Sequence, residues 1–232
     1  MHSSYTHSKL VRQLADMSLL DNGNLPQTAD LRIGKLLDLS DSVRIAAAQL
    51  PDNEPFESSS VTPESVRADF LRVRASLLKA VELSFNPGQR YTRIKLPVVE
   101  GRALAEDPAV LGAYQRFYAS HQRDIVYRVQ GLRERVSSCV SGASPELKQL
   151  ARLDATLGSS LSAHASACFA KIPSLLSQRF EALNQPQISM SGEATHTQFQ
   201  REIKNLLLAE IDARLLPIQG LVEALDDHIS SY

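Results

Sequence analysis

A single seam, Leu111, Tyr114, Tyr118, His121, Ile125, Val129, Leu132, Val136 and Val140, returns at steps of three and four. That spacing keeps one face of an α-helix turned the same way, whereas a strand would repeat at every second residue. Asp107-Pro108 places an N-cap acid before a proline at the first helical position, so the helix opens there. It runs for about 33 residues, on the order of 50 Å. Its three/four steps are those of a long packed or coiled pair. Ser141-Gly142-Ala143-Ser144-Pro145-Glu146 closes it and starts the next helix at once. So short a connection makes the two helices antiparallel neighbours, with residue numbers summing to about 286 at equal height. The returning helix reads Leu150, Leu157, Leu161, Ala165, Cys168, Ile172, Leu176, Phe180 and Leu183, with a kink expected at Pro173.

Similar spacing fills most of the remaining chain. A first helix is expected from about Thr6 to Leu20 on Leu10, Val11, Leu14 and Met17, stopped by Asn22-Gly23-Asn24. A second, from about Thr28 to Leu50, uses Ala29, Ile33, Leu36, Leu37, Val43 and Leu50 as its apolar face. Thr62-Pro63-Glu64 opens a third, carrying Val66, Phe70, Val73, Leu77 and Val81 and ending before Asn86-Pro87-Gly88. Gln89 to Asp107 is irregular, and Tyr91 to Leu96 alternates like a strand but has no partner segment. After a polar linker, Thr195-His196-Thr197-Gln198 fits a capping box. The last helix then uses Phe199, Ile203, Leu207, Ile211, Leu215, Ile218, Val222, Leu225 and Ile229, with Pro217 a bend. The expectation is six helices and an all-α fold: a multi-helix bundle with a long antiparallel helical hairpin and a long C-terminal helix. Its segments are an N-terminal helical region (1–106), the hairpin (107–185), and a linker with the C-terminal helix (186–232), joined in one continuous folded unit.

Charge narrows the function classes. Lys plus Arg number 25 against 26 Asp plus Glu, so no global field draws in nucleic acid or an anionic membrane. The start has no basic stretch followed by an apolar one, and no apolar run reaches the ~20 residues of a membrane span. Two cysteines, Cys139 and Cys168, both inside helical pattern, point to a reducing compartment. The chain is expected in the cytoplasm.

No GxGxxG, GxxxxGK[ST], GxSxG, HExxH or CxxC spacing occurs. Carboxylates are scattered along helix faces rather than paired, so the chain is read as no enzyme, with no cofactor. One geometric idea was weighed for metal. The hairpin register brings His121 level with Ala165, beside His164, while Asp124 and Cys168 share the faces of those histidines. Four such ligands suit tetrahedral zinc, yet a hydrogen-bonded core histidine and a cysteine acting as a small hydrophobe explain the same residues. The expectation is no metal. A basic segment, Arg90, Tyr91, Arg93 and Lys95, combines cations with an aromatic as phosphate and base contacts require. Solvated charges are the simpler account. The final helix, following a polar linker, is a candidate to swap or dimerise.

Ser8-Lys9-Leu10-Val11-Arg12-Gln13-Leu14-Ala15-Asp16 resembles the opening of an uncharacterised proteobacterial domain-of-unknown-function family. Arg116-Phe117-Tyr118-Ala119-Ser120-His121-Gln122-Arg123-Asp124 and Ser144 to Asp154 resemble its centre, and the match extends to about Phe180. The resemblance implies soluble helical proteins of unassigned activity, often encoded near OmpA-like and MotA/TolQ-like membrane proteins. It therefore implies a soluble partner of an envelope-spanning, ion-driven assembly. Its His-Gln-Arg element falls on His121, Gln122 and Arg123, of which His121 and Arg123 join the basic segment as candidate binding residues. The family is not associated with a histidine and cysteine at His164 and Cys168, which weakens the metal idea further.

The functional expectation is a non-enzymatic helical scaffold or adaptor that binds protein partners, a second copy included, without inserting into a membrane. The alternative is a nucleic-acid or anion-binding protein using the basic segment.

Overall fold

A computed structural model of the chain describes residues 8–19, 36–50, 58–86, 92–97, 108–184 and 192–231. Among them are seven helices: α1 (Lys9–Asp16), α2 (Leu39–Gln49), α3 (Pro63–Ser84), α4 (Pro108–Ser141), α5 (Pro145–Ala170), α6 (Ile172–Leu183) and α7 (Gly192–Ser230). No described residue is in a strand. The fold is all-α, with the long hairpin α4–α5 and the long final helix that the spacing predicts. The seventh helix comes from the expected kink. Pro173 lacks the N–H that would bond the carbonyl of Phe169, and the returning helix breaks between Ala170 and Ile172.

Local signals explain most boundaries. Thr62 accepts the Ser65 N–H at 3.3 Å and Ser144 accepts the Leu147 N–H at 3.2 Å, each ahead of a proline. The first helix, in contrast, stops earlier than expected, at Asp16; Asn22-Gly23-Asn24 lies outside the described residues. Ser18 takes the left-handed φ of 57°. The Ser18 N–H then reaches the Ala15 carbonyl at 2.9 Å, and the Leu19 N–H reaches the Leu14 carbonyl at 3.0 Å. This closes the helix as a glycine at that position usually does. The final helix starts earlier, at Gly192 rather than Thr195.

The second expected helix needs a larger correction. Leu37 and Asp38 are not helical, so the expected helix is interrupted there and α2 starts afresh at Leu39 behind an Asp38/Asp41 capping box. Leu36, Val43 and Leu50, read as one apolar face, are exposed. Ala48 is the buried residue. The cause is the way α2 meets α5. Arg152 Nε and Nη2 donate to the Ala48 carbonyl at 3.1 and 2.8 Å, and Nη2 also reaches the Leu50 carbonyl. Gln149 Nε2 donates to the Gln49 carbonyl at 2.6 Å. These donors satisfy carbonyls left over at the helix end, and the leucines turn outward. The expected α5 seam shifts similarly. Leu150, Leu157, Ala165 and Cys168 are exposed, while Leu147 and Ala151 are buried.

The chain forms two compact units. The first takes the described residues within Met1–Leu25, Ala75–Tyr127 and Ala170–Ala213. Its core gathers Leu77, Val81, Tyr114, Phe117, Tyr118, Ile125, Leu176, Phe180, Phe199, Ile203, Leu206, Leu207 and Ile211. Phe117 meets Phe85, and Tyr114 and Phe180 both meet Phe199, edge-on at 5.1–5.4 Å between ring centres. The second unit takes those within Pro26–Arg74, Arg128–Phe169 and Arg214–Tyr232. Val66, Phe70, Leu132, Val136, Val140, Leu147, Leu215, Ile218, Leu221 and Leu225 fill it. Here Arg133 pairs with Asp154 across the hairpin, numbers that sum close to the expected register. At the hairpin turn, a Cβ added to Gly142 would stand 2.3 Å from the Ser59 nitrogen, so only glycine admits that approach.

Candidate functional site

The helical period that builds the first unit also carries polar groups into it. Tyr114, Tyr118 and Gln122 are spaced by four on α4, so they lie on one face and meet α7. Glu210, between Ala209 and Ile211 on the apolar stripe of α7, is 0% exposed. Its carboxylate accepts the Tyr118 hydroxyl at 2.7 Å and the Gln122 amide at 3.1 and 3.2 Å. Burying a carboxylate without such donors would cost several kcal/mol or force it to take up a proton.

One turn away sits a second cluster. Gln200 Nε2 donates to the Tyr114 hydroxyl at 2.9 Å and lies 2.7 Å from His196 Nε2, while the Tyr114 hydroxyl is 3.0 Å from that same nitrogen. With the amide a donor only, His196 Nε2 accepts and its proton sits on Nδ1. Burial pushes the His196 pKa down and the Tyr114 pKa up, the latter against the opposing pull of Gln200. Both therefore stay neutral near pH 7.

The third polar point is His121, 2% exposed. Ser84 Oγ gives its proton to the Val81 carbonyl at 2.7 Å, so His121 Nε2–H donates to Ser84 Oγ at 3.0 Å. Phe117 packs edge-on to its ring at 4.8 Å. Burial lowers its pKa to about 4, and the nearby Asp124 charge only partly opposes this. At the margin of the unit, Arg179 holds Glu202 through two bonds at 2.7 and 2.8 Å, with Gln198 on the same carboxylate at 2.9 Å.

Apart from His196 Nδ1, a buried nitrogen with no hydrogen-bond partner among the described residues, these groups are acceptors already filled and donors already spent. Glu210 faces a phenol and an amide rather than a cleft, and neutral His121 has given its Nε2 proton to a hydroxyl. The arrangement orders α3, α4 and α7 within the unit, and its two hydroxyl–imidazole pairs, Ser84–His121 and Tyr114–His196, are turned into that unit. No group of three or more His, Cys, Asp or Glu among the described residues is placed to hold a metal ion. His164 and Cys168 are exposed on α5, and both cysteines carry free thiols. No helix among the described residues is long and apolar enough to cross a membrane.

The candidate binding residues are not gathered into one site. Arg90 and Tyr91 lie outside the described residues, whereas Arg93 and Lys95 are exposed in the non-helical stretch 92–97. Arg123 is exposed, with its guanidinium 3.1 Å from the Ser120 hydroxyl, and His121 points the other way, into the core. Sequence reasoning overlooked Glu210, Tyr118, Gln122, His196 and Gln200 as a set. The available signal was a carboxylate inside Leu206-Leu207-Leu208-Ala209-Glu210-Ile211, opposite a seam with two tyrosines. The segment that carried the family resemblance, Arg116 to Asp124, supplies Phe117, Tyr118, His121 and Gln122 to this polar core.

Comparison with curated proteins finds no match, and comparison with solved structures finds none either. The family described as protein of unknown function DUF3348 matches residues 1–227. The chain belongs to that domain-of-unknown-function family.

Proposed function

We propose that this chain is a non-enzymatic helical scaffold or adaptor that presents helix faces to protein partners. The observation that carries the reading is the exposure of large apolar side chains on fully formed helices. Tyr127 is 81% exposed beside half-exposed Val126 on α4. An amphipathic ring of this kind contributes contact area at low entropic cost and recurs in interface centres. The internal polar groups, by contrast, are turned inward and, His196 Nδ1 apart, bonded, which supports binding rather than chemistry as the role of the surface. Free thiols suit a reducing compartment, so the proposed location is the cytoplasm. The resemblance suggests a proteobacterial setting and a soluble partner of an envelope-spanning, ion-driven assembly, engaged by coiled-coil-like helix pairing.

The test is affinity capture from the native host with mass spectrometry, comparing the wild-type chain with Val126→Ser/Tyr127→Ser. A protein retained by the wild type and lost from the variant is expected. The rival reading has exposed Arg93 and Lys95 in its favour. Fluorescence anisotropy with labelled oligonucleotides addresses it directly. Tight binding at physiological salt, abolished by changing Arg90, Arg93 and Lys95 to Gln, would replace the adaptor reading with nucleic-acid binding.

A further inference from the structure

Helix α2 carries a face that nothing among the described residues covers. At roughly 100° per residue, Leu39, Val43, Ala46 and Ala47 fall within about 100° of arc, the width of an ordinary core-facing stripe. All four are exposed, Leu39 by 82% and Val43 by 61%, while Ala48 on the opposite side is buried. Leu50 is exposed just beyond the C-terminal end of the helix.

We propose that this face pairs with the same face of a second copy of the chain, antiparallel, about a two-fold axis at Val43. The pairing rests on the adaptor reading in taking a protein helix as its occupant. Three features select a second copy. The face is self-complementary in volume: an antiparallel pair centred on Val43 sets Leu39 of one copy over Ala47 of the other, large against small. A parallel pair would set Leu39 on Leu39 and leave Ala46 and Ala47 facing each other across a gap. The face is also self-complementary in charge. Its flanks are Ser40, Ser42 and Arg44, and Arg44, the one cation of the helix, is 2.8 Å from the Ser159 hydroxyl and 3.7 Å from Asp41. Identical faces thus meet without opposed like charges, and neither a polyanion nor a basic peptide finds a counter-charge there. Finally, a two-fold pair is closed, so a second copy satisfies the face without continuing into a fibre.

Sedimentation of the full chain from low to high micromolar concentration tests the idea. A species of twice 25.5 kDa is expected to form reversibly. Val43→Asp and Leu39→Asp should each weaken it by at least about tenfold, with unchanged helical circular dichroism because both sites are exposed. In a Cys168→Ser background, Val43→Cys should form an inter-copy disulfide under mild oxidation, whereas the exposed control Glu223→Cys should not. A chain that stays monomeric throughout, or a dimer indifferent to Val43→Asp, overturns the pairing. Either result leaves the adaptor reading to the Val126/Tyr127 capture experiment, whose outcome does not depend on α2.

Discussion

The first unit buries Ser84, His121, Thr195 and Glu210 and contains the five ring pairs found among the described residues; the second buries Ser144 and an otherwise almost wholly aliphatic core. Aliphatic packing tolerates small shifts, since Leu and Ile repack against several neighbours at similar energy. A buried carboxylate tolerates few. Slide α7 by one turn relative to α4 and Glu210 loses Tyr118 and Gln122 together. The first unit therefore has its helix alignment fixed from within. The second has its alignment fixed at the rim, by Arg133 on Asp154, by Arg152 on the end of α2 and by the close passage of Gly142 over Ser59. Specificity by internal polar contacts depends on protonation; specificity by rim contacts and volume does not.

That contrast can be broken by experiment, and the largest effect belongs to the second unit. Leu132 is fully buried, so Leu132→Ala should cost roughly 2–5 kcal/mol in urea unfolding, and the loss should be the same at neutral and mildly acidic pH. A loss that grows with acidity would place a titrating group in this almost wholly aliphatic core. Next in size is the response of the first unit to acid. His121 titrates near 6.5 when unfolded and at about 4 when folded, so between those values the unfolded chain binds the extra proton. Stability is complete above about pH 6.5 and falls as pH drops toward 4, by at most about 3 kcal/mol from this residue. His196, also lowered by burial, acts in the same direction. The urea midpoint should drop across this window in the wild type and more gently in His121→Gln. Equal slopes would remove His121 as the cause.

Tyr118→Phe sharpens the point more finely. It deletes one hydroxyl, leaves Glu210 short of a donor and should cost about 1–3 kcal/mol. A change indistinguishable from zero would mean that Glu210 is satisfied without the phenol. The smallest expected effect is a gain. Ser18 holds a left-handed φ that an L side chain resists, so Ser18→Gly should raise stability by about 0.5–1 kcal/mol. A loss would show that the serine side chain contributes more than its backbone strain removes.

How far the sequence could be read follows the same divide. Helix type, the hairpin and the Pro173 break were all legible, because a three/four period, a proline after a capping hydroxyl and a short Gly-bearing turn act locally. Two kinds of feature were not. The end of α1 rests on a serine in a conformation that a reader reserves for glycine. The face of α2 was inverted because a Leu36–Val43–Leu50 period shows neither the break at Leu37 and Asp38 nor whether another helix comes to cover the side chains it groups. The polar core was half legible. His121 stood out on its seam and was weighed as a bonded core histidine, which is its place in the structure. Glu210, between Ala209 and Ile211, counts in the sequence as one more scattered carboxylate, since its donors lie about 90 positions away.

The grip of α5 on α2 has a consequence for how the chain can change. Arg152 and Gln149 hold the main-chain oxygens of Ala48, Gln49 and Leu50, atoms that every amino acid supplies. The clasp is thus blind to what α2 displays. Residues 39, 43, 46 and 47 can be rewritten, by drift or by design, without loosening the clasp, provided helix propensity and the Asp38 cap are kept. Attachment and display are separately encoded, which leaves this short helix free to acquire a new partner while its clasp is kept.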